Sequence, residues 1–341
     1  MVAAESTGRT QPTVSVRTLA FDTATVLGLL AFLAYMFATG RPGQLGDLMQ
    51  DEMRRSVGFF VSTQFLLFVP LIFLLEQVMP ARLEQRGFGP SVAFDALYML
   101  IHLPVIIAFL VYISGPINTF LNTHASFLVV DSTRSWPLWL ATLVAILITD
   151  LGHWFSHLVK HKVGWIWRFH MVHHSQARLS LFTSNRTHPV DALVDHFMLL
   201  VPFFILVPSI TERATSVLVL ATVVSWATRF THANIGTNLG PLRYILVTPQ
   251  SHRIHHSTEP GHWNSNYGNI FAWDRLFGTQ HADDTSYPPT GINDPHFPEP
   301  KRFGLREFAS SFVGQMLFPL DGQAVRRAGA APGPNSQTPG S

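Results

Sequence analysis

Residues 137–174 read PLWLATLVAILITDLGHWFSHLVKHKVGWIWRFHMVHH. The stretch opens as an apolar run, meets Asp150, and then turns histidine-rich. The run from Pro137 to Ile148 has too few strictly apolar residues to span a bilayer alone, which takes ~20. It predicts a helix that leaves the lipid and continues through His153-x-x-x-His157. Beyond it stands His170-x-x-His173-His174, and the same spelling returns at His252-x-x-His255-His256. Positions i and i+4 share one helical face, with Cβ atoms about 5–6 Å apart, so His153 and His157 can grip one ion. Adjacent helical residues diverge by about 100°. The doubled histidines, His173 with His174 and His255 with His256, can therefore each serve a different ion. The pattern suits two metals side by side, straddled by the doubled histidines. His232, just past an apolar run, is a ninth candidate.

Imidazole alone does not choose among iron, zinc, copper and nickel. The missing carboxylates narrow the chemistry. Between Leu151 and Ile210 there is no glutamate, and the acidic residues after Asp150 are Asp191 and Asp195. A zinc hydrolase of the H-E-x-x-H kind needs a glutamate base, and ferritin-type di-iron bundles rely on glutamates. Nearly all-imidazole metals beside apolar helices fit oxygen activation on a lipid better than hydrolysis. The remaining histidines are read as ordinary. His161 is placed in a turn with Lys160 and Lys162. His102, His124, His262, His281 and His296 are surface or core residues, and His188 and His196 are left between ligand and bystander.

The chain of 341 residues is 47% hydrophobic and 13% charged, against about 25% charged in a soluble domain. That deficit points to lipid. A net charge of +2 gives no case for nucleic acid. With no cysteine, thiolate ligands and disulfides are excluded. The fold expected is all-α and multi-pass. About four transmembrane helices lie at 19–40, 57–75, 93–113 and from 137. A short apolar hairpin follows at 197–210 and 215–226, and a cytosolic helical cap holds the dimetal site. An even number of crossings between the second and third histidine clusters keeps both on one side. Four spans put the N-terminus and the cap in the cytoplasm, although the arginines of 41–56 oppose that orientation. The domain limits expected are a disordered N-terminus (1–17), transmembrane helices (18–136), a catalytic domain (137–280), an extension (281–322) and a disordered tail (323–341). Trp165 and Trp167, with Lys160, Lys162 and Arg168, suit a membrane–water boundary.

The order H-x-x-x-H, H-x-x-H-H, H-x-x-H-H resembles the fatty acid hydroxylase/sterol desaturase superfamily. The block 248–280, with Asn266-Tyr267-Gly268 and Trp273-Asp274-Arg275-Leu276-Phe277-Gly278-Thr279, is similar to that family's closing signature. "WRFHMVHHS" and "NRTHPVD" also look like it. The resemblance covers about residues 137–280. It implies a membrane di-iron enzyme that uses O2 to hydroxylate or desaturate a lipid: a sterol, a fatty acyl chain or an ether lipid. Its implied ligands are His153, His157, His170, His173, His174, His252, His255 and His256, with His232. Nothing resembles a fused cytochrome b5 domain, so a separate donor, a cytochrome b5-like protein or a ferredoxin, would supply electrons. Asp191 and Asp274 would support ligand histidines from behind, or Asp274 would instead pair with Arg275 or another arginine. Two alternatives fit less well. A metal transporter would set its ligands at the bilayer midplane, whereas these boxes flank the apolar runs. A zinc hydrolase lacks its glutamate.

Overall fold

The computed structural model describes residues 42–206, 214–283 and 285–322. The expected first span (19–40), both expected disordered ends and the link between the two apolar runs lie outside the described residues. From Gln44 onward the chain forms one compact unit. It is helical, and among the described residues β-pairing is limited to isolated bridges.

The polar stretch 41–56, which separates the first two expected spans, is most of a helix, α1 (Pro42–Phe60). Ion pairs one turn apart, Arg54–Asp51 at 3.7 Å and Arg55–Glu52 at 2.6 Å, let charged residues sit side by side on it. The expected second span is broken at 61–62. Ser62 caps a new helix, α2 (Thr63–Val78), its hydroxyl accepting from the Phe65 N–H, and the two helices meet at 60°.

The third expected span is longer than the apolar run suggested. α3 (Pro90–Leu97), a π-turn (Tyr98–His102) and α4 (Leu103–His124) make one 35-residue helical rod. The π-turn falls just ahead of Pro104, which lacks an N–H and crowds the carbonyl of the preceding turn. The fourth, α5 (Leu138–Lys162), runs unbroken for 25 residues through the histidines, as expected of it. The rod and α5 are long and apolar enough to cross a membrane, and α1 with α2 would make a third span if that bent pair counts as one.

α6 (Gly164–His174) follows α5 after one residue. The apolar pair proves to be two full helices, α7 (Pro189–Leu206, 18 residues) and α8 (Ala214–His232, 19 residues). Each extends past its apolar run into polar sequence, and that extension carries Asp191 on α7 and His232 on α8. Small residues let α5 and α8 approach: Ala141 and Ala145 pack against Leu220. Gly152 of α5 lies so close to Leu199 of α7 that a Cβ would meet it at 2.5 Å. The short helix α9 (Pro249–His255) is set by a capping box between Thr248 and Ser251 with Pro249 in its first turn. α10 (Trp273–Phe277) and α11 (Leu305–Leu317) complete the fold.

Two buried polar devices tie the elements together. Glu76 of α2 accepts from the Leu181 N–H (2.9 Å) and the Asn234 N–H (3.0 Å). Arg186, with no exposed surface, pairs with Asp95 of α3 at 2.6 Å and with Glu299 of the 281–322 segment. The same segment receives a bond from Tyr98, whose hydroxyl donates to Gln315 at 2.9 Å. The buried Arg186 network predicts a large effect on stability. Arg186→Ala would strand Asp95 as a buried, unpaired acid and cost about 3–5 kcal/mol. Thermal unfolding in detergent should register this, and a loss below about 1 kcal/mol would show that the network holds nothing together.

Candidate metal centre

α5, α6, α8 and α9 converge at one end, and their histidines meet in two groups. His157, His161, His170, His174 and His255 form the first. His173, His232, His252 and His256 form the second. Within each group the candidate ligand nitrogens all lie within 4.8 Å of one another. In the first group the Nε2 of His174 lies 3.1 Å from that of His161, 3.2 Å from that of His170 and 3.1 Å from that of His255. In the second, the Nε2 of His232 is 3.1 Å from that of His173 and 2.9 Å from that of His252. The Nε2 of His256 is 3.2 Å from that of His252.

The doubled histidines divide as helical geometry requires. His173 and His174 go to different groups, and so do His255 and His256. The groups abut, with the rings of His174 and His256 stacked at 4.3 Å.

The far ring nitrogens explain why the near ones converge. Nδ1 of His157 donates to the Tyr267 carbonyl (2.9 Å), Nδ1 of His173 to the Arg186 carbonyl (3.1 Å), and Nδ1 of His232 to the Thr228 carbonyl (2.7 Å). Nδ1 of His255 donates to the Ser265 carbonyl (2.7 Å), and Nδ1 of His170 to Asp191 (3.1 Å). A carbonyl can only accept, so each of these rings carries its proton on Nδ1 and turns a bare Nε2 lone pair inward. Lone pairs packed at such distances repel unless a cation sits among them. The Nε2 of His157 is buried without any partner among the described residues. The donor set therefore fits metal ions, two of them, of the kinds imidazole prefers. The Nδ1 atoms of His252 and His256 have no partner among the described residues. Those rings are steadied by stacking, His252 on His255 at 5.5 Å and His256 on His174.

Burial keeps the rings neutral and ready to ligate. It pushes His255 down to about 3, with the Ser265 bond pulling the other way. It drives His174 and His256 well below the usual imidazole range, and neighbouring rings add to the effect.

Of the nine expected ligands, the structure brings eight together. His153 is not in either group, and His161 is there instead. His161 does not lie in a turn: α5 runs to Lys162 and carries it inward. The sequence offered a signal, since His157-x-x-x-His161 has the same spacing as His153-x-x-x-His157. His153 lines an adjoining cavity. His188 is satisfied elsewhere, Nδ1 accepting from the Val190 N–H and Nε2 facing the Met316 carbonyl. His196 pairs with the Ser114 hydroxyl at 2.8 Å.

Asp191 supports His170 directly and is itself held by Lys160 at 3.0 Å and by the Thr187 hydroxyl at 3.0 Å. Asp274 works at one remove and, among the described residues, pairs with no arginine. It accepts the N–H of Tyr267 (2.9 Å), the N–H of Gly268 (2.7 Å) and the Trp154 indole (3.1 Å), so it fixes the loop whose carbonyl orients His157. Gly268 must be glycine there, because a Cβ would meet Val247 at 2.7 Å and the Phe271 carbonyl at 2.8 Å. Asp150 latches the next turn through the Ile270 and Phe271 N–H groups and the Trp273 indole. Trp167 packs over His161 and His174, at 4.8 and 5.2 Å between ring centroids. The aromatic hydroxyl of Tyr267 is fully buried beside His157, His161 and His255, and no partner reaches it among the described residues.

A cavity of about 390 Å³ opens from the histidines. His157, His170, His173, His232 and His252 line it, together with Leu103, Ile106, Ile107 and Leu110 of α4, Leu199 of α7 and Val224 of α8, and with the charged Lys160, Asp191 and Asp195.

Residues 142–279 match the fatty acid hydroxylase family, and all nine grouped histidines fall within that stretch. The chain is 33% identical to ornithine lipid hydroxylase OlsE of Rhizobium tropici over 147 residues, 43% of this chain and 43% of that protein. It is 32% identical to alkylglycerol monooxygenase of Danio rerio over 182 residues, 53% of this chain and 38% of that protein. To methylsterol monooxygenase 1 of Rattus norvegicus it is 29% identical over 150 residues, 42% of this chain and 48% of that protein. The chain thus spans less than half the length of these three relatives. No solved structure matches it.

Two outcomes test the site. His161→Ala should lower bound metal by about one ion per chain, whereas His153→Ala should retain both, measured by elemental analysis of purified protein. In metal-free protein, an unfolded histidine binds a proton near pH 6.5 while folded His255 resists down to about 3. The unfolded state then holds more protons, so stability should be full above about pH 6.5 and fall steadily toward pH 3. Melting of chelator-treated protein across that range reads the slope, and a flat profile would contradict it.

Proposed function

We propose, from the match of residues 142–279 to the fatty acid hydroxylase family, that this protein is a membrane-bound oxygenase that oxidises a C–H bond of a lipid. The observation that carries the reading is the cavity, whose lining joins five of the nine grouped imidazoles to aliphatic side chains. One iron would be held by His157, His161, His170, His174 and His255, the other by His173, His232, His252 and His256. When bound, the iron pair supplies O2-dependent redox chemistry able to attack an unactivated C–H bond. Electrons come from a separate donor, a cytochrome b5-like protein or a ferredoxin, and the histidine end faces the cytoplasm. Within this reading 137–280 is the catalytic domain, and 281–322 braces it through Glu299 and Gln315.

The chain's own residues account for the rest. Leu103, Ile106, Ile107, Leu110, Leu199 and Val224 take up an alkyl chain and exclude water from it. That fixes which carbon reaches the histidine end, and placement decides between alcohol and alkene. The Tyr267 ring packs against the first group and its hydroxyl is unpartnered among the described residues; a buried hydroxyl left alone costs about 1–3 kcal/mol, so it would donate to an acceptor that the loaded site or the substrate presents. Asp191, held by Lys160, fixes the tautomer of His170.

A hydrolase is disfavoured by a specific observation. Both carboxylates of the cavity are already engaged, Asp191 by His170, Lys160 and Thr187, Asp195 by Lys160 and Ser156 at 2.6 Å each. Neither is left as a general base. The lipid substrate belongs to the broad class that the relatives' names record, ornithine lipids, alkylglycerols and methylsterols.

Anaerobically purified protein should carry about two irons per chain and take up O2 with a nicotinamide-driven donor system and a lipid extract. Comparing the lipids of cells with and without the gene should reveal species that gain one oxygen atom or lose two hydrogens. Zinc in place of iron, with no O2 uptake, would overturn the proposal. Tyr267→Phe should keep its iron and lose turnover on the order of 10–100-fold.

A further inference from the structure

We infer that Leu242, Tyr244, Ile245, Leu276 and Phe277, flanked by Arg243 and Arg275, form a surface that sits in the headgroup layer of an anionic bilayer leaflet. All five apolar or aromatic residues are exposed, Ile245 at 61% and Leu276 at 71%. They come from two segments, 240–247 and 270–277, that are locked together. The Ala272 N–H donates to the Ile245 carbonyl at 2.8 Å, the Val247 N–H to the Ile270 carbonyl at 2.8 Å, and Arg275 Nε to the Arg243 carbonyl at 3.1 Å. The tips are therefore held outward by a rigid scaffold.

The charges around them specify the occupant. The guanidinium carbons of Arg243 and Arg275 each lie 4.8 Å from the centroid of the Tyr244 ring. Two cations gathered on one ring favour an anion. Aliphatic tips, a tyrosine and adjacent arginines together match the boundary between acyl chains and phosphates.

The surface also continues a helix apolar enough to cross the membrane. Phe277 stacks on Trp154 of α5 at 4.4 Å, and Asp150 of α5 holds the Phe271 N–H and the Trp273 indole. Leu151 and Phe155, beside Trp154 on α5, are themselves exposed. Lipid against that helix would meet the patch without a gap. The latch from Asp150, and that from Asp274 through Tyr267 to His157, would then tie the depth of the patch to the position of the histidine site.

The chain has no cysteine, so a single one can be labelled cleanly. Full-length Leu276→Cys and, separately, Ile245→Cys would carry a nitroxide in vesicles of phosphatidylcholine with phosphatidylglycerol. Both labels should collide more with O2 than with a water-soluble nickel chelate. Adding Arg275→Glu should lower that ratio by roughly fivefold. Faster collision with nickel at both positions would overturn the inference and is the outcome expected if the patch instead receives a water-soluble acidic protein. Neither result depends on turnover, so the lipid-oxygenase reading stands or falls separately.

Discussion

Five imidazole lone pairs held inward among nine gathered rings are an unfavourable arrangement, and the structure depends on enforcing it. Nitrogens about 3 Å apart with no hydrogen between them repel. Left to themselves the rings would turn away, donate to one another or admit water. Four backbone carbonyls and one carboxylate prevent this by claiming the proton on the far side of His157, His173, His232, His255 and His170. The cost of that convergence is recovered when cations enter, which makes metal binding part of the folding energy.

Two of those carbonyls are in turn held by buried charges. The Arg186 backbone orients His173 while its side chain spans to Asp95 on the long helical rod and to Glu299 near the C-terminal helix. The Tyr267 carbonyl is aimed by Asp274, which collects two N–H groups and an indole. Arg253, in the middle of the third histidine box, is buried and bridges Gln85 and Asn234, both at 2.9 Å, and burial holds its guanidinium down to about 10. The site is thus cross-linked to α2, α3 and the C-terminal segment by buried polar groups, which tolerate little movement.

This rigidity suits a reaction on an unreactive bond. A saturated chain offers no group for recognition, so selectivity must come from depth and shape. A cavity with aliphatic walls on three helices and imidazoles in its lining supplies both. Of the helices with aliphatic walls, α8 also carries a grouped histidine, His232, so wall and histidine site share part of one frame.

Much of this was legible in the sequence. The apolar runs foretold helices, and the doubled histidines foretold two adjacent groups, because consecutive helical residues must diverge. The choice between His153 and His161 was not legible. Both stand four residues from His157, so helical periodicity treats them alike, and only the packing of α6 and α9 against the last turn of α5 selects His161. The reach of Arg186 to Asp95 and Glu299, 91 and 113 residues away, could not be read from spacing either. Local order follows from the sequence through the fixed geometry of the helix; which turn faces which, and which buried charges meet, is decided by contacts between segments far apart in the chain.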